Sequence, residues 1–144
     1  MRFMVIVKGN EKSEAGVLPS ERLLREMGKF NEELVRAGVM LAGEGLQDSS
    51  KGARVKWAAG SKKPTVVDGP FAETKELVAG FWLWQCRSKE EAIEWARRIP
   101  NPDGDEGEVE IRQVFETDDF AASDPTGEIR EQEERLRAQV AGQQ

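Results

Sequence analysis

One short segment combines turn-forming residues with several charged side chains, and it reads VVDGPFAETKE from Val66 to Glu76. Asp68 can bond its carboxylate to backbone N–H groups just ahead of it. Gly69 precedes a proline and is therefore biased away from the helical region, and Pro70 fixes its own φ. Phe71 offers an apolar anchor, so the pattern predicts a stiff loop that holds a carboxylate in place. A held carboxylate suits proton transfer or ligand orientation, whereas the simpler alternative is a well-made turn.

Two further charged residues complete the predicted site. Glu44 stands between Gly43 and Gly45, a pattern that indicates a β-bulge or a close backbone approach. The Glu44 carboxylate either lies in a cleft as a second carboxylate beside that of Asp68, or is solvated at the end of a strand. Lys75 either pairs with an anion or is solvated. We therefore predict Asp68 as the proton-handling residue, with ligand contacts from Glu44, Gly69, Pro70, Phe71 and Lys75.

The residue types that are absent exclude several kinds of chemistry. The chain has no histidine, no tyrosine and a single cysteine, Cys86. These counts exclude Ser-His and Cys-His nucleophile systems, an internal disulfide and a cysteine-based metal cluster. We predict no metal site and no cofactor. Since histidine and tyrosine are absent, the remaining acid–base candidates are carboxylates, lysines and Cys86. For Cys86, at a strand end, a small buried residue is favoured over a reactive thiol.

Length and charge narrow the class of protein. A chain of 144 residues is expected to form one domain, here with an appendage. The net charge is −6, with +4 in residues 1–63 and −10 in residues 64–144, so we predict no nucleic-acid partner. The apolar run Phe3 to Val7 is too short for a signal-peptide core or a membrane span. We expect no membrane association and a cytoplasmic protein.

The hydrophobic periodicity predicts elements that would position these residues. Apolar residues at 3-and-4 spacing predict a helix that opens at Ser20 and ends at Gly38. Ser88 with Glu91 predicts a capping box at the start of a second helix, which Pro100 ends. Polar loops are expected over 9–17 and 118–124, and a charged helix over 128–140. The predicted strands are residues 2–7, 39–42, 53–58, 64–67, 77–84 and 109–115, with the third and fourth forming a hairpin.

This order of elements predicts the fold class. It is the α+β class, a ferredoxin-like split β-α-β pattern with an inserted β-hairpin and a C-terminal helical extension. Two helices cover only one face of such a sheet, and aromatic residues on the other face would form an exposed apolar patch. A second copy of the chain is the simplest cover, so we predict a homodimer. The predicted domains are residues 1–117 and a charged linker with the C-terminal helix, 118–144.

The segment from Val67 to Glu76 resembles the signature of the DGPF proteins, within the YCII-related family. Residues 32–34, 37–39 and 41–46 are similar to that family's preceding block, and the likeness covers roughly residues 1–116. The resemblance implies a dimeric α+β barrel and no settled activity. Some relatives place a histidine near an aspartate in a cleft, and Asp68 is similar to that aspartate, but this chain has no histidine to complete the pair. DGPF proteins are often encoded beside extracytoplasmic-function sigma factors.

Two functions of different class remain open. The first is a small-molecule site, with or without acid–base chemistry, in a cleft lined by the Asp68–Phe71 loop and the strand end at Glu44. The second is an accessory or regulatory protein whose acidic half or tail docks on a partner, such as a protein linked to a sigma factor. The sequence does not decide whether the chain is an enzyme.

Overall fold

The computed structural model of this chain describes residues 1–143, apart from the side chain of Lys75. The chain forms two compact units, Met1–Gln113 and Val114–Gln144. The strands are β1 (Arg2–Lys8), β2 (Met40–Gly45), β3 (Ala53–Lys56), β4 (Thr65–Asp68), β5 (Val78–Gln85) and β6 (Val109–Gln113). The helices are α1 (Glu11–Glu14), α2 (Glu21–Arg36), α3 (Lys89–Ala96) and α4 (Glu128–Gly142). No described helix is long and apolar enough to span a membrane.

The first unit contains a four-stranded antiparallel sheet in the order β2-β5-β1-β6. The inserted segments β3 and β4 form a separate two-stranded sheet. The predicted α+β class, the ferredoxin-like strand pattern and the inserted hairpin are therefore confirmed. A short 3₁₀ helix, Ser49–Lys51, separates the hairpin from β2, and the hairpin ends at the loop that leads into β5.

The hydrophobic core lies on one face of the four-stranded sheet. Alternation along β1 and β5 directs Phe3, Val5, Trp82 and Trp84 to that face, where all four are buried. The helices supply the opposite side of the core with three buried residues, Phe30, Leu34 and Ala92. The alternate positions of the same strands carry half-buried apolar residues on the other face of the sheet, namely Met4, Ile6, Phe81 and Leu83.

The prediction for α2 is largely confirmed. Ser20 caps the helix by accepting a hydrogen bond from the Leu23 amide at 3.1 Å, and Gly38 takes the left-handed conformation with φ of 71°. The buried face of α2 is narrower than the spacing of its apolar residues predicts. Leu24 and Val35 are exposed, because they lie at the borders of the face that meets the sheet.

Three local predictions are corrected. The predicted polar loop over residues 9–17 contains α1, because Asn10 and Ser13 form a reciprocal capping box. The predicted linker over 118–124 is part of a 3₁₀ helix, Thr117–Ser123. At α3, Ser88 accepts from the Glu91 amide, but the Glu91 carboxylate accepts from the Arg87 amide, so only half of the predicted box forms.

The second unit contains the 3₁₀ helix followed by α4. The start of α4 is fixed by Asp124, whose carboxylate accepts from the amides of Ile129 and Arg130 at 3.2 and 2.9 Å. Within the helix, Glu133 and Arg137 form an i,i+4 ion pair at 2.9 Å. The helix also carries three exposed apolar residues, Ile129, Leu136 and Val140.

Candidate functional site

The loop after Asp68 is held by hydrogen bonds to an earlier part of the first unit. The Gly69 amide donates to the Gly52 carbonyl at 2.9 Å, and the Phe71 amide donates to the Ser49 hydroxyl oxygen at 3.0 Å. Ser49 is itself fixed by Glu14 of α1, which accepts from the Ser49 amide at 3.0 Å and from its hydroxyl at 2.5 Å. A chain of three contacts therefore connects α1 to the loop.

The side chains of this loop explain its residue types. A Cβ on Gly69 would overlap the Ser49 carbonyl oxygen, so no larger residue fits there without a backbone shift. The Gly69–Pro70 peptide bond is cis. The Arg54 guanidinium lies 3.8 Å from the centre of the Phe71 ring, a cation–π contact that ties the loop to β3.

The structure places the predicted site residues on different elements. Asp68 is exposed at the end of β4, opposite Ala53, and its carboxylate accepts no hydrogen bond within the described part of the chain. The expected bonds from Asp68 to its own loop are therefore not formed, and the groups that the loop holds are the amide and ring of Phe71. Glu44 lies in the other sheet, opposite Phe81 on β5. The side chain of Lys75 lies outside the described residues.

A cavity of about 260 Å³ opens between α2 and the edge formed by β2 and β5. We call it the α2 cavity, and its lining is Val7, Met27, Asn31, Gly43, Glu44, Gly45, Ala79, Gly80, Phe81 and Trp82. Strand pairing places Gly43 opposite Trp82 and Gly45 opposite Gly80 on the face toward α2. The side chains of Glu44 and Phe81 point to the other face, so these two residues border the cavity with their main chains.

One polar contact orients the wall of the α2 cavity. The Trp82 indole N–H donates to the Asn31 side-chain oxygen at 2.9 Å. This bond uses the amide oxygen of Asn31 and leaves its two N–H groups as donors. The Trp82 ring is held by Phe30 in an edge contact at 6.0 Å and by Trp84 at 5.6 Å. The cavity thus has a rigid aromatic wall and a hydrogen-bond donor of fixed orientation.

A second, polar cleft of about 420 Å³ lies where β1 ends. Its lining is Lys8, Gly9, Asn10, Glu11, Lys12, Thr74 and residues 105–108. Lys12 pairs with Asp105 at 2.8 Å, and the pKa of Lys12 is raised by this hydrogen bond. Thr74 belongs to the predicted motif, but residues 68–71 border neither cavity. The lining of this cleft is mostly charged and polar, whereas the α2 cavity has an aromatic wall and few polar groups. The cleft therefore suits a small uncharged ligand less well than the α2 cavity does.

Cys86 has the properties of a structural residue, as the sequence favours. It is buried, and the pKa of its thiol is raised. Burial is the larger cause, and the negative charge of the nearby Glu91 is the smaller one. Among the described residues, no group of three histidine, cysteine or acidic side chains is placed to hold a metal ion.

The fold and the braced loop define a ferredoxin-like α+β domain with an inserted hairpin. The chain belongs to the YCII-related family, because the model of the YCII-related domain matches residues 1–118. It is also 36% identical, over 94 residues, to an uncharacterized protein of Rhizobium meliloti (strain 1021). That match covers 65% of this chain and 74% of the relative. Neither similarity assigns an activity.

Sequence reasoning missed the polar residues that organise these sites. Glu14 lies in the polar loop predicted over residues 9–17, and Ser49 lies between the second and third predicted strands. Their contact joins residues 35 positions apart. Asn31 had a usable signal, because a polar residue four positions after Met27 lies on the apolar side of α2. Trp82 lies in the strand predicted over residues 77–84, and it is buried.

Proposed function

We propose that this YCII-related chain is a small-molecule-binding protein and that its ligand occupies the α2 cavity. The observation that carries the proposal is the Asn31–Trp82 hydrogen bond, which presents amide N–H donors beside an aromatic wall. Ligand sites are mostly apolar with a few well-placed polar groups, and this cavity has that composition. Its size and its donor favour a small uncharged molecule with a carbonyl or similar acceptor.

The geometry favours binding over proton transfer at this cavity. Among the described lining residues, Glu44 is the only titratable one, and strand alternation directs its carboxylate to the opposite face. A general acid or base must lie within hydrogen-bond reach of the reacting group. Acid–base chemistry would therefore require a group brought from elsewhere.

A cavity-filling variant tests the proposal. A Cβ on Gly45 would meet no atom within 4 Å, so the side chain introduced by Gly45→Val starts in open space at the cavity. We expect a small uncharged carbonyl compound, found by a thermal-shift screen of the parent protein, to lose its stabilising effect in this variant. Gly28→Ala is the matched control, since its Cβ also meets nothing and lies outside the lining. Equal ligand shifts in Gly45→Val and the parent would exclude the α2 cavity.

The sequence-based version of the proposal places the ligand against the Asp68–Phe71 loop, with Asp68 handling a proton. Asp68→Asn keeps the shape of the side chain and removes its charge, and asparagine also makes the same turn. Loss of affinity or turnover at an unchanged unfolding midpoint would support the Asp68 site. Unchanged affinity would assign Asp68 to the turn alone.

We also propose that the protein is a homodimer joined through the sheet face that carries Met4, Ile6, Phe81 and Leu83. The proposal is supported by apolar side chains at four alternate positions that do not belong to the helix-covered core. Leu83→Asp should shift sedimentation from a dimer to a species of 16.1 kDa while the chain stays folded. Ala79→Ser, a mild change on the same face, should leave the dimer intact. A parent protein that sediments as a monomer would contradict the proposal.

A regulatory role is the second candidate, and the exposed apolar residues of α4 favour it. Ile129, Leu136 and Val140 recur at seven and four positions, which places them on one side of the helix. A partner protein, for example one linked to a sigma factor, would be captured by the full chain and lost from a chain of residues 1–117. Equal capture by both chains would exclude a role for the tail.

A further inference from the structure

The hairpin of β3 and β4 differs in charge from the rest of the chain. Residues 49–68, which include both strands, contain five cationic side chains and one acidic one, Asp68, a net charge of +4, whereas the whole chain carries −6. The remaining residues therefore carry −10, which is −6 minus +4. The net charges of residues 1–63 and 64–144 do not reveal this basic segment, because it spans the boundary between them. Its cations are Lys51, Arg54, Lys56, Lys62 and Lys63.

Every residue of the two hairpin strands is exposed. In the register, Arg54 faces Val67 and Lys56 faces Thr65 on one side of the hairpin. Val55 and Val66 face each other on the opposite side and are 49% and 67% exposed. The hairpin thus has a cationic side with Arg54 and Lys56. The opposite side is apolar at Val55 and Val66 and ends in the acidic Asp68, which pairs with Ala53.

The hairpin also has open edges. Within the described residues, β3 and β4 pair only with each other, so each strand has an edge whose backbone groups are not used in a sheet. Such an edge can accept an additional strand from another polypeptide. The hairpin is anchored to its domain by the Gly69–Gly52 hydrogen bond and by Arg54 on Phe71, which fixes its base.

We propose that this hairpin is a docking surface for an acidic polypeptide segment that adds to it as an extended strand. The partner alternates acidic and apolar side chains, because the hairpin alternates a cationic and an apolar side. Its carboxylates pair with Lys56 and the neighbouring cations, and its apolar residues cover Val55 and Val66. Backbone hydrogen bonds to the open edge give affinity, and the two sides set the register.

An alternative explanation assigns the lysines a purely protective role, because charged residues on an edge prevent unwanted strand pairing. This alternative predicts no binding of an acidic strand. A nucleic acid would also be attracted by the cations, but it would not use the alternating apolar side. Binding must therefore depend on the alternation of the partner as well as on its charge.

The test measures binding of a labelled peptide of about ten residues, with alternating glutamate and valine, to the full chain by fluorescence anisotropy. We expect saturable binding that weakens as salt rises, since exposed charges are screened. Lys56→Glu should lower the affinity roughly tenfold. Lys29→Glu is the matched control, because it reverses one exposed charge on α2, and its affinity should equal that of the parent.

Two further probes make the result decisive. A peptide of the same composition with its glutamates and valines in separate blocks should bind much more weakly than the alternating one. Equal binding of both peptides, or no binding of either, would overturn the proposal, and so would an unchanged affinity in Lys56→Glu. Displacement of the bound peptide by an oligothymidine at lower concentration would instead assign the surface to nucleic acid.

Discussion

The four-stranded sheet and the β3–β4 hairpin are made of similar residues but have opposite roles. Both contain valines, and a tryptophan, Trp57, directly follows the first hairpin strand. Trp84 in the sheet is 0% exposed, whereas Trp57 is 61% exposed. The sheet has two helices against one face, whereas all strand residues of the hairpin are exposed. The difference shows that residue type alone does not make a core. A strand stabilises the fold only when another element covers it.

The largest effect is expected from Trp84→Ala, which tests the sheet side of the comparison. Removal of a fully buried aromatic side chain should lower the free energy of unfolding by about 3–5 kcal/mol. Chemical denaturation followed by circular dichroism measures it. Trp84→Phe is the control, since the indole N–H has no acceptor among the described residues and its loss should cost much less. Similar losses for both variants would contradict a packing role.

Gly69→Ala should disturb the junction between hairpin and sheet. The new Cβ would overlap the Ser49 carbonyl oxygen, so the loop must move and the free energy of unfolding should fall by about 1–3 kcal/mol. Hydrogen exchange should show faster exchange in β3 and β4, with β1 and β5 unchanged. Gly60→Ala is a poor control because φ there is 75°, so Gly107→Ala, which meets no atom, is used instead. If hydrogen exchange in β3 and β4 is as slow in Gly69→Ala as in the parent protein, Gly69 is not closely packed against Ser49.

Ser49→Ala removes one hydroxyl from the contact between α1 and the loop. The Phe71 amide loses its acceptor and Glu14 loses one donor, so a loss of about 1 kcal/mol is expected. Thermal unfolding measures the effect. The comparison is Ser50→Ala, which removes a hydroxyl that, among the described residues, is bonded only to the nearby Asp48. If Ser50→Ala costs as much as Ser49→Ala, the contact with Glu14 adds no specific support to the loop.

The smallest effect is expected from Trp57→Ala, which tests the hairpin side. Because this side chain is mostly exposed, its removal should change the free energy of unfolding by less than about 0.5 kcal/mol. The same denaturation experiment used for Trp84 gives a direct comparison of the two tryptophans. A loss above about 1 kcal/mol would mean that Trp57 is covered in solution, for instance in an assembly.

The local pattern of the sequence was sufficient for most elements and insufficient for the sites. Apolar spacing and a serine cap located α2, and an aromatic-rich run located β5, because these signals act within one turn or one strand. The order of elements then indicated the ferredoxin-like arrangement. The α2 cavity was not predicted, because it depends on Asn31 meeting Trp82, two residues 51 positions apart.

The sequence by itself determined the secondary elements, the fold class and the absence of histidine chemistry, since these follow from local preferences and composition. Only the tertiary structure decided which residues meet. It showed that the Asp68 loop is fixed by Ser49 and Glu14 and that its carboxylate is left in solvent. It also showed that the hairpin forms a sheet of its own, in which every strand residue is exposed. Contacts between distant segments depend on how the elements pack, and local preferences do not encode that packing.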